Sequence, residues 1–304
     1  MANASKAIIF VSIAIFCYGI QPVFIKAMVP FFSIAEQTLL RFTGALIVFG
    51  ILALLEEHEL KEEARHWKRF MPAGMIYGLA VACWVVGNYL VMNAITIGIL
   101  SRTNIIFIAL ISALLFADEK RLLLSKKFFT GMVFATIGAI GVIASKDGLT
   151  FELGIGAGFI MLAMLFGSIY SAYLKSLVNH KESETSLAII FTVSFLIAVV
   201  FFMIQDGNID NLMQPVVFIP LISGITGLGI GNYFAFKSIE EQGLVATTSM
   251  LLATPVVTVI MSALFLGEEL IALQLLWAAV LIAGCYLIIN AEFGPLHLGR
   301  GIKR

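Results

Sequence analysis

Two arginines, Arg41 and Arg102, stand inside otherwise apolar stretches of the chain. A guanidinium placed there offers five N–H donors and a fixed charge, which suits it to grip a carboxylate or a phosphate. Leaving one in hydrocarbon costs about 2.5–3.5 kcal/mol on insertion scales. Each Leu, Ile, Phe or Val returns only about 0.3–0.6 kcal/mol, so one Arg cancels several of them and must face protein or water. Arg41 lies about 12 Å into its stretch at a rise of 1.5 Å per residue. Gln37 shares its helical face at the i,i+4 spacing, whereas Glu36 is rotated away. Arg102 stands near the start of its stretch, beside Asn104. Both arginines could wall a solute pathway. The other reading makes Arg41 a tie to helix-end carbonyls and Arg102 a side chain snorkelling to the interface.

Uncharged polar groups form a second set. Asn88 and Asn232, with Tyr89 and Tyr233, occupy matching places in the phrases "GNYLVMNAI" (87–95) and "GNYFAFKSI" (231–239). A buried amide needs partners, which in hydrocarbon are another helix, water or a solute. Aligning "SALLFADE" (112–119) with "SALFLGEE" (262–269) on their serines pairs Asn104 with Thr254. Thr247, Thr254, Thr258 and Ser262 recur at helical spacing, a hydroxyl stripe suited either to a wet path or to bonds between helices. Pro22 and Pro255 each remove a backbone donor within an apolar stretch. The carbonyl that Pro22 releases is that of Tyr18, so Tyr18, Gln21 and Pro22 form a candidate hinge or binding feature. The candidate solute contacts are therefore Tyr18, Gln21, Arg41, Asn88, Arg102, Asn104, Asn232, Tyr233 and Thr254. Lys26 reads as a snorkelling anchor. Gly74 and Gly78, Gly154 and Gly158, and Gly227 and Gly231 stand four apart, a spacing that lets helices approach closely.

Other chemistries lack their residues. No GxxxxGK[ST] phosphate loop is present, so the chain has no motif for nucleotide hydrolysis, and no HExxH occurs. His58, His66, His180 and His297 all fall in loops or the tail, and no metal or cofactor is expected. Cys17, Cys83 and Cys285 sit in apolar stretches as packing residues. Asp206 and Asp210 in "DGNID" make a turn-like pattern. Glu36 lies near a helix end, and Glu119 and Glu269 close their helices. A coupling proton thus has few deep carboxylates to bind, and facilitated diffusion or exchange fits equally well.

The elements that must position these residues follow from composition. The chain is 60% hydrophobic and 12% charged, with a mean hydropathy of +1.01; ordinary globular domains carry roughly 25% charged residues. Its partner is a lipid bilayer. Apolar runs of about 20 residues recur, each able to cross roughly 30 Å of hydrocarbon as a helix. Ten are predicted, at 7–29, 33–55, 69–94, 97–116, 126–145, 153–178, 185–204, 214–237, 243–266 and 272–290. The first lacks a small-residue cleavage site and continues through Gln21, Pro22 and Lys26, so it reads as a retained helix rather than a signal peptide. With the N-terminus inside, Lys and Arg gather on the cytoplasmic side and both termini are cytoplasmic, as for a multi-pass protein of the cell membrane. No basic run interleaved with aromatics points to nucleic acid.

Each "GNY" falls late in the third or eighth run, and each "SAL" phrase closes the fourth or ninth. The expected fold is an all-α membrane protein of ten transmembrane helices. These form two five-helix repeats, 1–148 and 149–292, followed by a cytoplasmic tail, 293–304. An odd number of crossings per repeat makes the two copies inverted, a construction that recurs in alternating-access transporters.

The residues also carry a family resemblance. "YGIQPVFIK" (18–26) resembles an aromatic-glycine opening that ends in lysine, and "EQTLLRF" (36–42) an arginine-bearing second helix. The two "SAL" phrases, Pro255 and "LFGSIYSAYLK" (165–175) complete the likeness. Together they resemble the ten-helix EamA-type branch of the drug/metabolite transporter superfamily, over nearly the whole chain. That resemblance implies secondary or facilitated transport of small molecules such as amino acids, related metabolites or drugs, often outward. The arginines favour solutes with an anionic group. A membrane enzyme acting on a lipid-linked substrate would need paired acids or a nucleophile within a span, and neither occurs. A channel would need a repeated ring of one charge sign, which is also missing. In one respect the chain departs from its own repeat: Ile105 falls where the ninth helix has Pro255, so the fourth helix is expected to lack that kink.

Overall fold

The protein is described from a computed structural model, covering residues 2–28, 30–55, 63–90, 100–101, 103–117, 123–144, 154–179, 185–205, 207–267 and 272–293. Among these residues all regular structure is helical. In hydrocarbon no water is available to the backbone, and a helix satisfies its N–H and C=O groups within a single segment. The first run divides into α1 (Ala2–Gly19) and α2 (Gln21–Met28), and α3 (Ile34–Leu55) and α4 (Trp67–Leu90) follow. Next come α5 (Asn104–Leu115), α6 (Lys126–Ala144), α7 (Ile155–Asn179) and α8 (Ser186–Ile204). A composite helix then joins α9 (Phe218–Ser223), a π-helical stretch (Gly224–Gly231) and α10 (Asn232–Gln242). After α11 (Leu244–Met250) and a 3₁₀ turn (Leu251–Ala253) the chain continues as α12 (Thr254–Leu266) and α13 (Ala272–Phe293). Seven stretches among the described residues are long and apolar enough to cross a membrane, and Asn104–Leu115 and Leu275–Ala291 are shorter apolar helices. Side chains such as Leu114, Ile155 and Leu264 point outward, as a lipid-facing surface requires.

Helices adjacent in sequence are mostly not adjacent in space. α4 packs along α7 and α8, and the π stretch with its flanking α9 and α10 packs along α1 and α3. α5 lies against α7, and α12 against α1; α3 meets α8, and α6 meets α13 over the longest contact of all. Exchanging the two sequence halves maps this set of pairings onto itself. Individual residues obey the same exchange at spacings of 149–153. Phe42 and Phe191 pack on each other with ring centroids 6.2 Å apart, and Gly131 and Gly284 each face the other's carbonyl. A Cβ on Gly74 would lie 2.6 Å from the Ile190 carbonyl oxygen, and one on Gly224 would collide with the Arg41 carbonyl. The tight crossings therefore depend on glycine, as the four-residue spacing suggested for Gly74, Gly78, Gly227 and Gly231. Gly154 and Gly158 instead face open space.

Register separates the two echoes in the sequence. The serine phrases agree with the packing: Asn104 meets Ser168 of α7 at the place where the Thr254 carbonyl faces Gly19 of α1. The "GNY" phrases do not. Gly231 packs against Cys17 and Tyr18, whereas Gly87 packs against Gly156 and Ile160, about six residues or 9 Å farther along the neighbouring helix. Asn88 is consequently not the spatial counterpart of Asn232, correcting the pairing drawn from the phrase.

The proline departure also proves less consequential than expected. In the second half a 3₁₀ turn precedes α12 and places Pro255 in its first turn, where the missing N–H costs no helical bond. In the first half Thr103 N donates to Leu100 O at 3.0 Å immediately before α5, so a turn of the same kind falls at the same register without a proline.

Candidate functional site

Where α1 gives way to α2, the helix is interrupted at Ile20 and Gln21 turns inward. Its amide uses all four hydrogen-bonding positions. Nε2 donates to Cys17 O at 2.9 Å and to Thr226 Oγ1 at 3.2 Å. Oε1 accepts from Ser223 Oγ at 2.7 Å and from Arg41 Nη2 at 3.2 Å. The Gly19 carbonyl beside the interruption accepts from Thr258 Oγ1 at 2.7 Å. Thr258 of α12 and the Gln21 amide thus take up the carbonyls beside the interruption, while α3 and the composite helix hold the amide itself. Gly227 makes room for Gln21, since a Cβ there would collide with the amide. The other glycines of the π stretch admit other neighbours, Gly224 the Arg41 carbonyl, Gly229 Val48 and Gly231 Tyr18; π turns inside α-helices frequently occur at functional sites.

Arg41 is half-buried on α3, and its Nε is sealed from solvent without a hydrogen-bond partner. Glu36, the acid nearest in sequence, accepts instead from the backbone N–H of Ser33 at 2.7 Å and of Asn208 at 3.1 Å. The guanidinium therefore holds one neutral amide oxygen and has donors to spare. Tyr77 of α4 lies within electrostatic reach of it. Asn232 Nδ2 donates to Leu228 O at 3.0 Å, returning to the π stretch, and reaches the Tyr77 hydroxyl at 3.4 Å. The Tyr77 ring packs on that of Tyr170 with centroids 4.3 Å apart, and Tyr18 lies near both. The Tyr170 hydroxyl is buried and makes no hydrogen bond. Taken together, the unpaired groups at the centre are mainly donors, which suits an acceptor-rich anion.

The structure thus gathers Tyr18, Gln21, Arg41 and Asn232 around one centre. Asn104 lies farther along, where its Oδ1 accepts from the fully buried Ser168 Oγ at 2.6 Å, a bond between α5 and α7. Thr254 opens α12. Tyr233 packs at the core and meets Phe234 edge-on at 5.3 Å. Asn88 is placed on α4 by its backbone. Arg102 lies outside the described residues. The hydroxyl stripe divides: Thr247 joins a buried cluster with Ser238 and Gln242, while Thr258 ties α12 to α1.

Sequence reading missed Tyr77, Tyr170, Ser168, Ser223 and Thr226. Tyr170 was within reach of it, because aligning Lys26 with Lys175 puts Tyr170 opposite Gln21. Tyr77 carries no comparable signal, being one tyrosine in an apolar run.

A model of the EamA-like transporter family matches this chain twice, over residues 5–144 and 154–290. A protein of Haemophilus influenzae described as an uncharacterized transporter is 26% identical over 287 residues, covering 86% of this chain and 91% of its own. A solved crystal structure shares the fold with a TM-score of 0.76 at 15% identity, over 95% of this chain and 98% of that one. The division of the match at residues 144–154 agrees with the exchange symmetry of the helix packing. This multi-pass membrane protein belongs to the EamA-like transporter family.

Proposed function

We propose that the protein is a secondary transporter moving small organic solutes that bear an anionic group. One observation carries this reading: Arg41 is held among the membrane helices with an unbonded Nε and only a neutral amide as partner. A buried charge without a counter-ion is costly, and an anionic solute supplies the missing partner. Ten membrane helices in two inverted repeats, residues 1–148 and 149–292, surround it, with both termini cytoplasmic in the plasma membrane. Alternating access uses bodies that mix the halves: α9–α10 with α1 and α3 on one side, α4 with α7 and α8 on the other. The tight glycine crossings within each group support that division. The scarcity of deep carboxylates favours uniport or exchange over proton coupling, and the family resemblance favours export.

Counterflow in proteoliposomes tests the proposal. Vesicles loaded with unlabelled organic acids should accumulate the labelled acid, and Arg41→Gln should lower the rate at least tenfold while the protein remains folded. Unchanged counterflow in the variant would remove Arg41 from the pathway.

A further inference from the structure

We infer that the solute is a monocarboxylate without an ammonium group, so that the site discriminates against amino acids of the same shape. This rests on the reading of Arg41 given above and deepens it. All 19 Asp and Glu residues lie in linkers, at run ends or, for Glu36, in the first turn of a run. No carboxylate is therefore available at mid-membrane to receive a solute ammonium, and Glu36 is engaged by the amides of Ser33 and Asn208.

The uncharged groups point the same way. Both oxygen positions on the Gln21 amide are filled, by Arg41 and Ser223. The Asn232 amide nitrogen is turned to the Leu228 carbonyl and the Tyr77 hydroxyl. What remains unpaired is mainly donors, namely Arg41 Nε, the Tyr170 hydroxyl and the Tyr77 hydroxyl proton, beside the Asn232 Oδ1 acceptor. A carboxylate is acceptor-only with about four lone-pair sites, whereas an ammonium brings three donors and no acceptor. Among the described residues one fixed positive charge lies at this centre, and it balances one carboxylate, so a monoanion is matched. The ring edges of Tyr77 and Tyr170, already packed on each other, offer an apolar flank for the body of the acid.

The test uses matched probes that differ only in the amino group: 3-phenylpropionate against phenylalanine, and 4-methylpentanoate against leucine. Binding to the purified, full-length protein is followed by thermal shift and by competition in counterflow. Each carboxylate should bind at least tenfold more tightly than its amino acid, and Arg41→Gln should abolish the binding of both. Tyr170→Phe should weaken the carboxylates severalfold with no loss of thermal stability. Amino acids that bind equally or better, yet still depend on Arg41, overturn this inference and leave the anion-transporter reading standing. Cation–π contact with the tyrosine faces would produce that result. Carboxylate binding that survives Arg41→Gln overturns both, and so does a failure of every probe to bind.

Discussion

The two ends of the exchange symmetry share their helix crossings but differ in backbone and chemistry: one has the break at Ile20 and the π stretch, where the other runs on as regular α-helix in α7 and α4. At one, Gln21, Arg41, Ser223 and Gly227 make a polar network. At the other, the corresponding positions are Tyr170, Ile190, Ala73 and Tyr77, and the network is replaced by two tilted, packed aromatic rings and a buried aliphatic. Gly227 and Tyr77 show the exchange most directly: one contributes space for an amide, the other a ring. In both halves a glycine presses on a carbonyl of the helix that carries the variable residue, Gly224 on Arg41 and Gly74 on Ile190. The duplicated scaffold therefore fixes where helices cross, while side chains at the crossings are free to diverge. One end holds the charge; the other sets aromatic rings and their hydroxyls beside it.

The largest expected effects test the shared scaffold. Gly224→Val and Gly74→Val should each cost roughly 3 kcal/mol or more, because backbone on the far side cannot retreat. Both variants should fail to give a monodisperse peak on size-exclusion chromatography, while Gly154→Val, facing open space, should behave as the parent. Tolerance at only one of the two crossings would break the equivalence. A second contrast sets Arg41 against Ile190. Ile190→Ala should lower stability by about 2–4 kcal/mol, whereas Arg41→Gln should leave the thermal midpoint unchanged or higher, since it removes an unpaired buried charge. If both lower the midpoint alike, Arg41 is a structural tie. Gln21→Leu should cost about 1–3 kcal/mol by stranding Ser223 and the Cys17 carbonyl, read as a lower midpoint in detergent. Smallest of all, Thr258→Val should cost about 0.5–1.5 kcal/mol, the ordinary worth of one hydrogen bond such as that to Gly19 O.

The sequence carried the membrane helices clearly, because long apolar runs are a strong signal and helix is the only open-chain solution in lipid. It also carried Arg41 and Gln21, since a charge and a proline-flanked amide are conspicuous in such runs. Their partners were harder to read. Ser223 and Thr226 come from 202 and 205 residues away in the chain, and no local pattern announces a hydroxyl that will face a particular amide. "GNY" misled because three identical letters outweighed spacing: Gly87 and Gly231 both admit a close helix neighbour, but at different depths. The serine phrases, whose spacing is within one residue of that between Phe42 and Phe191, were the sound guide. Tyr77 was illegible for a different reason. Its meaning comes from Tyr170 and Arg41, which only the folded chain brings to it.

The interleaved packing has a consequence for biosynthesis. Among the described residues, every extensive helix–helix contact made by α1, α3, α4, α5 and α6 is with a segment encoded after residue 150. As the ribosome delivers the early helices they enter the bilayer without their lasting neighbours, and must persist there as loosely associated rods until the later ones arrive. Late truncation should therefore leave the whole nascent product open to quality-control proteases, rather than sparing a folded N-terminal fragment.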